Sequence, residues 1–155
     1  RFRERTGAEH GLVLAGAPGW MHEPVIEAAQ RTEGVQLAGY VAEEDLPALY
    51  ALASAFVFMS SYEGFGLPLL EAMACGTPVI SSNVTAMPEV VGGDGLLVDE
   101  ISADALAEQM ERLAGDDALA EDLRRRGLAR ASTFTWERTA RRCAELYAER
   151  ASTSS

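Results

Sequence analysis

Short, wholly apolar runs alternate with amphipathic stretches along the chain. Leu12-Val13-Leu14-Ala15 is ended by Gly16-Ala17-Pro18-Gly19, the pattern of a buried strand followed by a turn. Residues 22–33 place Val25, Ile26 and Ala29 on one helical face, and Val35-Gln36-Leu37-Ala38, closed by Gly39, reads as a second strand. Residues 44–54 predict a helix, with Leu46, Leu49, Tyr50 and Ala53 at i, i+3, i+4 and i+7. Ala55 to Met59 is a third strand, apolar throughout. Gly64-Phe65-Gly66 breaks the chain, and Leu67 to Cys75 is helical again. Pro78 to Ser81 and Gly95 to Val98 are the fourth and fifth strands, with Gly92-Gly93-Asp94-Gly95 as a tight turn between them. Three helices follow at about 102–113, 116–131 and 135–149, the first capped by Ser102. Trp136, Ala140, Cys143 and Tyr147 form a stripe along the last helix that is expected to pack against the domain. Residues 1–149 read as one domain and 150–155 as a disordered tail.

Strands that are apolar on both faces, alternating with helices, predict an α/β fold: a Rossmann-like parallel sheet with helices on both faces. In open parallel sheets ligands bind beyond the carboxyl ends of the strands. Three loops converge there on this reading, 16–20, 60–66 and 81–86.

Composition narrows the chemistry. The chain has 155 residues, enough for one core without staples. Its two cysteines, Cys75 and Cys143, are too few and too distant for a disulfide framework. It has neither a secretory h-region nor an apolar run of membrane-spanning length, and a cytoplasmic location is expected. All 13 cations are Arg, which excludes a Walker A lysine and Schiff-base chemistry. Residues 32–111 hold 13 acids and no cation, a field that repels polyanions and argues against nucleic acid as a partner. The Arg-rich stretch from Arg124 to Arg142 reads as a solvated helical surface paired with Asp116, Asp117, Glu121, Asp122 and Glu137. No cluster of His, Cys or Asp resembles a metal site, so neither a metal nor another cofactor is expected. His10 reads as a surface residue and His22 as a helix opener.

The informative segment is Ser60-Ser61-Tyr62-Glu63-Gly64-Phe65-Gly66-Leu67-Pro68-Leu69-Leu70-Glu71. It leaves a strand, turns on two glycines and enters a helix with Pro68 in its first turn. A helix N-terminus offers free N–H groups and a partial positive charge, and glycines let an anion approach the backbone. In a region without cations this is the evident place for a phosphate. Glu63 and Glu71, eight residues apart, can each accept two hydrogen bonds from vicinal hydroxyls. A phosphate cradle flanked by two diol acceptors describes a nucleotide sugar. Taken alone, two acids can equally be a solvated loop acid and an unpaired helical one.

Glu63 to Glu71, E-G-F-G-L-P-L-L-E, resembles the E-x7-E signature of the retaining glycosyltransferases of family four, which have the GT-B fold. Ala72 to Ile80, Gly39-Tyr40-Val41 with Leu46, Leu49 and Tyr50, Pro88 to Gly92, Gly95 to Val98, and Phe134 to Glu137 resemble other segments of that family in the same order. The resemblance covers about residues 11 to 148. It implies a donor-binding domain for a nucleotide diphosphate sugar, serving a hexosyltransferase that transfers sugar to an acceptor hydroxyl. Glu71 would hold the ribose hydroxyls, and Glu63 would contact the donor sugar as the catalytic-site acid. Backbone groups of Gly64, Phe65, Gly66 and Leu67 would meet the sugar and diphosphate. Tyr40 and Val41 would lie against the nucleobase, with Gly16 nearby. Gly19-Trp20 resembles a variant found among mannosyl- and related hexosyltransferases. Glu89 is either a further donor contact or structural.

The resemblance is to the second of the family's two domains. The acceptor-binding N-terminal domain has no counterpart here, and neither does the opening strand with the Arg and Lys that clamp the diphosphate. Arg1, Arg3 and Arg5 look like the end of a helix instead. Two expectations follow. The missing central strand should leave a gap, an exposed edge open to self-association, or direct pairing of residues 12–15 with 55–59. The chain alone should be inactive, a fragment of a longer enzyme that touches the membrane only through the other domain. Alternatives of other classes are a sugar-nucleotide epimerase or phosphorylase of GT-B fold, and a non-catalytic binding module.

Overall fold

The computed structural model describes residues 1–17, 19 and 22–153. The elements run α1 (Phe2–Thr6), β1 (Leu12–Ala15), α2 (Glu23–Arg31), β2 (Val35–Gly39), α3 (Leu46–Leu52), β3 (Phe56–Phe58), α4 (Leu67–Ala74), β4 (Val79–Ser82), α5 (Met87–Val91), β5 (Leu96–Val98), α6 (Ala103–Ala114), α7 (Asp117–Ala131) and α8 (Trp136–Thr153). All five expected strands form, and every strand pair among the described residues is parallel.

They form two sheets. One is β1-β2, with Leu12 opposite Val35 and Leu14 opposite Leu37. The other is β3-β4-β5, with Val57 opposite Ile80 and Ile80 opposite Leu96. β1 and β3 do not pair; each ends its sheet and has a neighbour on one side only. Of the three expected outcomes, direct pairing does not occur, and the gap with open edges does.

The core sits on the three-stranded sheet. β4 is buried along its whole length and alternates between two clusters. Val79 faces Leu69, Leu70, Met73, Met87, Val90 and Val91 of α4 and α5. Ile80 joins Leu96, Val98, Leu113 and Leu123 from β5, α6 and α7. Period-two alternation sends neighbouring residues to opposite faces, so helices on both sides are the consequence of an all-apolar strand. Gly95 allows this closeness: a Cβ there would meet Val79 Cγ2 at 2.5 Å.

Three expectations need correction. Leu12–Ala15 is not a buried strand. Leu12 is 43% and Val13 46% exposed, because β1 lacks a neighbour on its outer side. The stripe of α8 does not pack against the domain: Trp136 is 80% and Tyr147 79% exposed, and Ala140 and Cys143 also face solvent. Its amphipathic pattern is real, but nothing in the described chain covers it. The last helix also continues through Thr153, into residues read as a tail.

The arginines hold the periphery together. Arg1 and Arg5 of the α1 segment pair with Asp104, and Arg5 also with Glu111, both on α6, so this segment is a helix docked by ion pairs. On α7, Arg124, Arg125 and Arg126 pair with Glu121 and Asp122, as the charge pattern implied. Arg126 also reaches Asp94 at 3.0 Å, and Arg130 donates to the Val90 carbonyl at 3.0 Å. Ser102 caps α6 by accepting from the Ala105 amide at 3.2 Å.

Candidate functional site

β3 ends at Phe58, and the next eight residues carry the chain over the carboxyl edge of the sheet into α4. Gly66 is the N-cap of α4, with φ 93°, the left-handed conformation that disfavours any side chain. A Cβ there would also press on Leu69 Cδ1 at 3.3 Å. Pro68 lies in the first turn, where a missing N–H costs nothing. Among the described residues no side chain caps this helix, and no acid lies in its first turn, which leaves the amides of its positive pole open to an anion.

The loop before it is fastened to the end of β4. Ser82 Oγ donates to the Ser60 carbonyl at 2.6 Å, and the Glu63 amide donates to Thr85 Oγ1 at 3.2 Å. Ser60 Oγ in turn donates to Glu63 Oε1 at 3.0 Å. Glu63 is half-buried and its carboxylate is oriented by its own loop. Thr85 has φ 50°, a strained conformation for a β-branched residue.

Glu71 lies one turn into α4 and is exposed. Its Oε2 accepts from the Tyr50 hydroxyl at 3.2 Å, a bond from α3. Burial, followed by the charge and hydrogen bond of Glu71, pushes the Tyr50 phenol up to about 12. Tyr50 is therefore a donor, never a phenolate, at ordinary pH.

Glu63, Gly64, Phe65, Gly66, Leu67 and Glu71 thus share one loop and helix start. Phe65 and Leu67 are exposed, at 43% and 50%, and Phe65 meets Phe134 edge-on at 6.1 Å. Gly16, Tyr40 and Val41 form a second group. They follow the carboxyl ends of β1 and β2, where the Gly16 amide donates to the Gly39 carbonyl at 2.8 Å and Tyr40 is 76% exposed. The two groups belong to different sheets, and no hydrogen bond joins them among the described residues. Pro18 and Trp20 lie outside the described residues. His22 opens α2 as read, with its Nδ1 donating to the Gly19 carbonyl at 2.7 Å. His10 is exposed beside Phe2. Glu89 is exposed in the first turn of α5.

Sequence reasoning missed Tyr50, Ser60 and Thr85. Tyr50 sits in the apolar stripe of α3 and reads as core. Ser60 and Thr85 carry no pattern beyond their place in loops at strand ends. Among the described residues no three His, Cys, Asp or Glu side chains come together as a metal-binding group.

Comparison with known proteins assigns this arrangement to a family. Residues 1–116 match the family described as glycosyl transferases group 1. The chain belongs to that family. An O-antigen chain mannosyltransferase B from Escherichia coli is 46% identical over 135 residues, covering 85% of this chain and 35% of the relative. An MMP alpha-(1->4)-mannosyltransferase from Mycolicibacterium hassiacum is 34% identical over 151 residues, covering 95% and 37%. The chain thus spans little more than a third of these relatives' length. A sucrose-phosphate synthase structure from Thermosynechococcus elongatus superposes with a TM-score of 0.75 at 31% identity, over 99% of this chain and 44% of that one. HepE from Anabaena, solved with UDP and glucose, gives a TM-score of 0.78 at 23% identity over 90% and 40%, a likeness of fold. The group 1 fold here is the Rossmann-like C-terminal half of a GT-B glycosyltransferase.

Proposed function

We propose that this chain is the donor-binding domain of a retaining hexosyltransferase and binds a nucleotide diphosphate sugar at the start of α4. One observation carries the reading. An uncapped helix N-terminus, opened by Gly66, is preceded in its loop by Glu63 and followed one turn in by Glu71, each oriented by a hydroxyl from its surroundings. The diphosphate lies on the free amides at Gly66 and Leu67, where the helix pole favours negative charge. Glu71 takes the ribose diol, and Glu63 takes hydroxyls of the hexose. The names of the relatives, mannosyltransferases at 46% and 34% identity, support a mannose-like hexose.

The amides contribute most as the glycosidic bond breaks, because charge then builds on the leaving diphosphate oxygen. That oxygen takes the proton of the incoming acceptor hydroxyl on the same face, so the anomeric configuration is kept. The chain by itself binds donor weakly and transfers nothing, since its 32–111 region brings no cation to the diphosphate.

Protein NMR titration of the chain with GDP-mannose and UDP-glucose tests this. Shifts centred on 60–71 are expected. Glu71→Ala should weaken binding by roughly 1–3 kcal/mol, the loss for hydrogen bonds to a charged group. Glu63→Ala should weaken sugar nucleotides while leaving free nucleoside diphosphates unchanged. Binding that leaves 60–71 undisturbed rejects the assignment.

A further inference from the structure

The hydroxyl that meets Glu71 comes from an element the donor site does not otherwise need. Tyr50 is the fifth residue of α3, and its O–H reaches Glu71 Oε2 across the α3–α4 packing at 3.2 Å. Three features fix the phenol. Its ring meets Phe56 of β3 edge-on, with centroids 5.2 Å apart at 90°. Its carbonyl accepts from Thr77 Oγ1 at 2.6 Å, and Thr77 is 2% exposed. The ring also packs against the buried cluster of α4 and α5. Glu71, by contrast, is a solvent-exposed glutamate with three rotatable bonds.

We propose that Tyr50 is a positioning residue: its O–H selects the Glu71 rotamer and occupies Oε2, leaving Oε1 and the remaining lone pairs for a vicinal diol. The inference rests on the reading of Glu71 as the ribose acceptor. An exposed glutamate samples many rotamers, and a diol must wait for the right one. A rigid donor held by a buried threonine and an aromatic contact removes part of that cost before the ligand arrives. Because one oxygen is already paired, the carboxylate presents a single defined edge. Phenol and carboxylate together therefore read ribose over deoxyribose.

The rival explanation is a tie between α3 and α4 with no ligand role, and the two predict different selectivities. The 155-residue chain, its Tyr50→Phe and Glu71→Gln variants and the double variant are titrated by protein NMR. The ligands are GDP and UDP, and their 2′,3′-dideoxy counterparts. Phe keeps the ring contact with Phe56 and the backbone bond to Thr77, so the fold is retained. Positioning predicts that Tyr50→Phe loses roughly three- to tenfold in affinity for the ribose ligands and nothing for the dideoxy ligands. It also predicts no further loss from Tyr50→Phe in the Glu71→Gln background. Equal losses for both ligand types, or none for either, overturn the positioning role while leaving the ribose assignment to stand on Glu71→Gln alone. Undiminished ribose binding by Glu71→Gln, or a wild-type chain blind to all four ligands, overturns the ribose assignment and the inference with it. A second readout needs no variant: the Tyr50 ¹³Cζ resonance should move with GDP and stay still with dideoxy-GDP. An unmoved resonance in both cases counts against the proposal.

Discussion

Ser82 Oγ donates to the carbonyl of Ser60 at 2.6 Å, and this bond joins the carboxyl ends of β4 and β3. Ser82 is fully buried, so its hydroxyl has no exchange with water to fall back on. Ser82→Ala leaves the Ser60 carbonyl without that partner and should cost about 1–2 kcal/mol in urea unfolding. The larger effect is local. Amide exchange across 60–66 should quicken more than exchange in β4, because the loop loses its tie and the strand keeps its ladder.

Thr85 meets the same loop from the other side, accepting the Glu63 amide at 3.2 Å from a backbone at φ 50°. A β-branched residue held there stores strain of order 1–3 kcal/mol. Asn tolerates the left-handed region and keeps a side-chain oxygen. Thr85→Asn should therefore raise stability by about 1 kcal/mol, read as a higher urea midpoint with an unchanged slope. Thr85→Val keeps the strain and the shape but loses the acceptor, and should lower stability by about 0.5–1 kcal/mol. A lower midpoint for Asn than for Val would mean that the strain assignment is wrong.

What was legible in the sequence and what was not divides along a physical line. The Gly64-to-Glu71 turn was legible because its punctuation is local: Gly66 is needed for a positive φ, and Pro68 fits only a first helical turn. The five strands were legible because short apolar runs bounded by glycine, proline or serine need no partner to be recognised. Burial was not. Leu12 and Val13 carry the composition of a doubly covered strand, yet stand open because the covering element is not among the described residues. Trp136 and Tyr147 show the same thing in a helix. Amphipathic spacing states that a face is apolar, not that anything meets it. α5 escaped detection because Met87–Val91 is too short to show a helical period. Tyr50 escaped because a ring that packs and a hydroxyl that points outward look identical in one letter of sequence.

The Tyr50 phenol ties stability to alkaline pH. Its folded value of about 12 stands above the ordinary 10.0, chiefly through burial and then through the charge of Glu71. The folded chain thus holds this proton more tightly than the unfolded chain does. The resulting stabilisation is complete below pH 10 and is lost as pH rises from 10 towards 12. Tyr50 is only half-buried, so solvent screening leaves roughly 1 kcal/mol at stake. Urea unfolding at pH 9 and pH 11 should show Tyr50→Phe losing less stability between the two than the wild type. Parallel losses would mean that the Tyr50 phenol carries none of the alkaline limb.

α8 offers the sharpest test of how the chain divides between core and periphery. Its side chains from Trp136 to Arg150 are exposed, and none belongs to either buried cluster. Phe134, just before it, packs on the α4–α5 cluster and lies 5.0 Å from the Arg130 guanidinium. The boundary between folded body and projecting helix therefore falls at Thr135. A chain ending there keeps Phe134 and every buried residue, so its melting temperature should stay within about 2 °C of the wild type, a change below ~0.5 kcal/mol. The far-ultraviolet helical signal should fall by the share belonging to Trp136–Thr153, because an isolated helix of this length gains little from the body. Ending the chain two residues earlier, before Phe134, should instead cost about 3 kcal/mol, the loss of a packed phenylalanine. If both truncations melt alike, α8 and Phe134 form a single cooperative unit and the boundary at Thr135 is wrong.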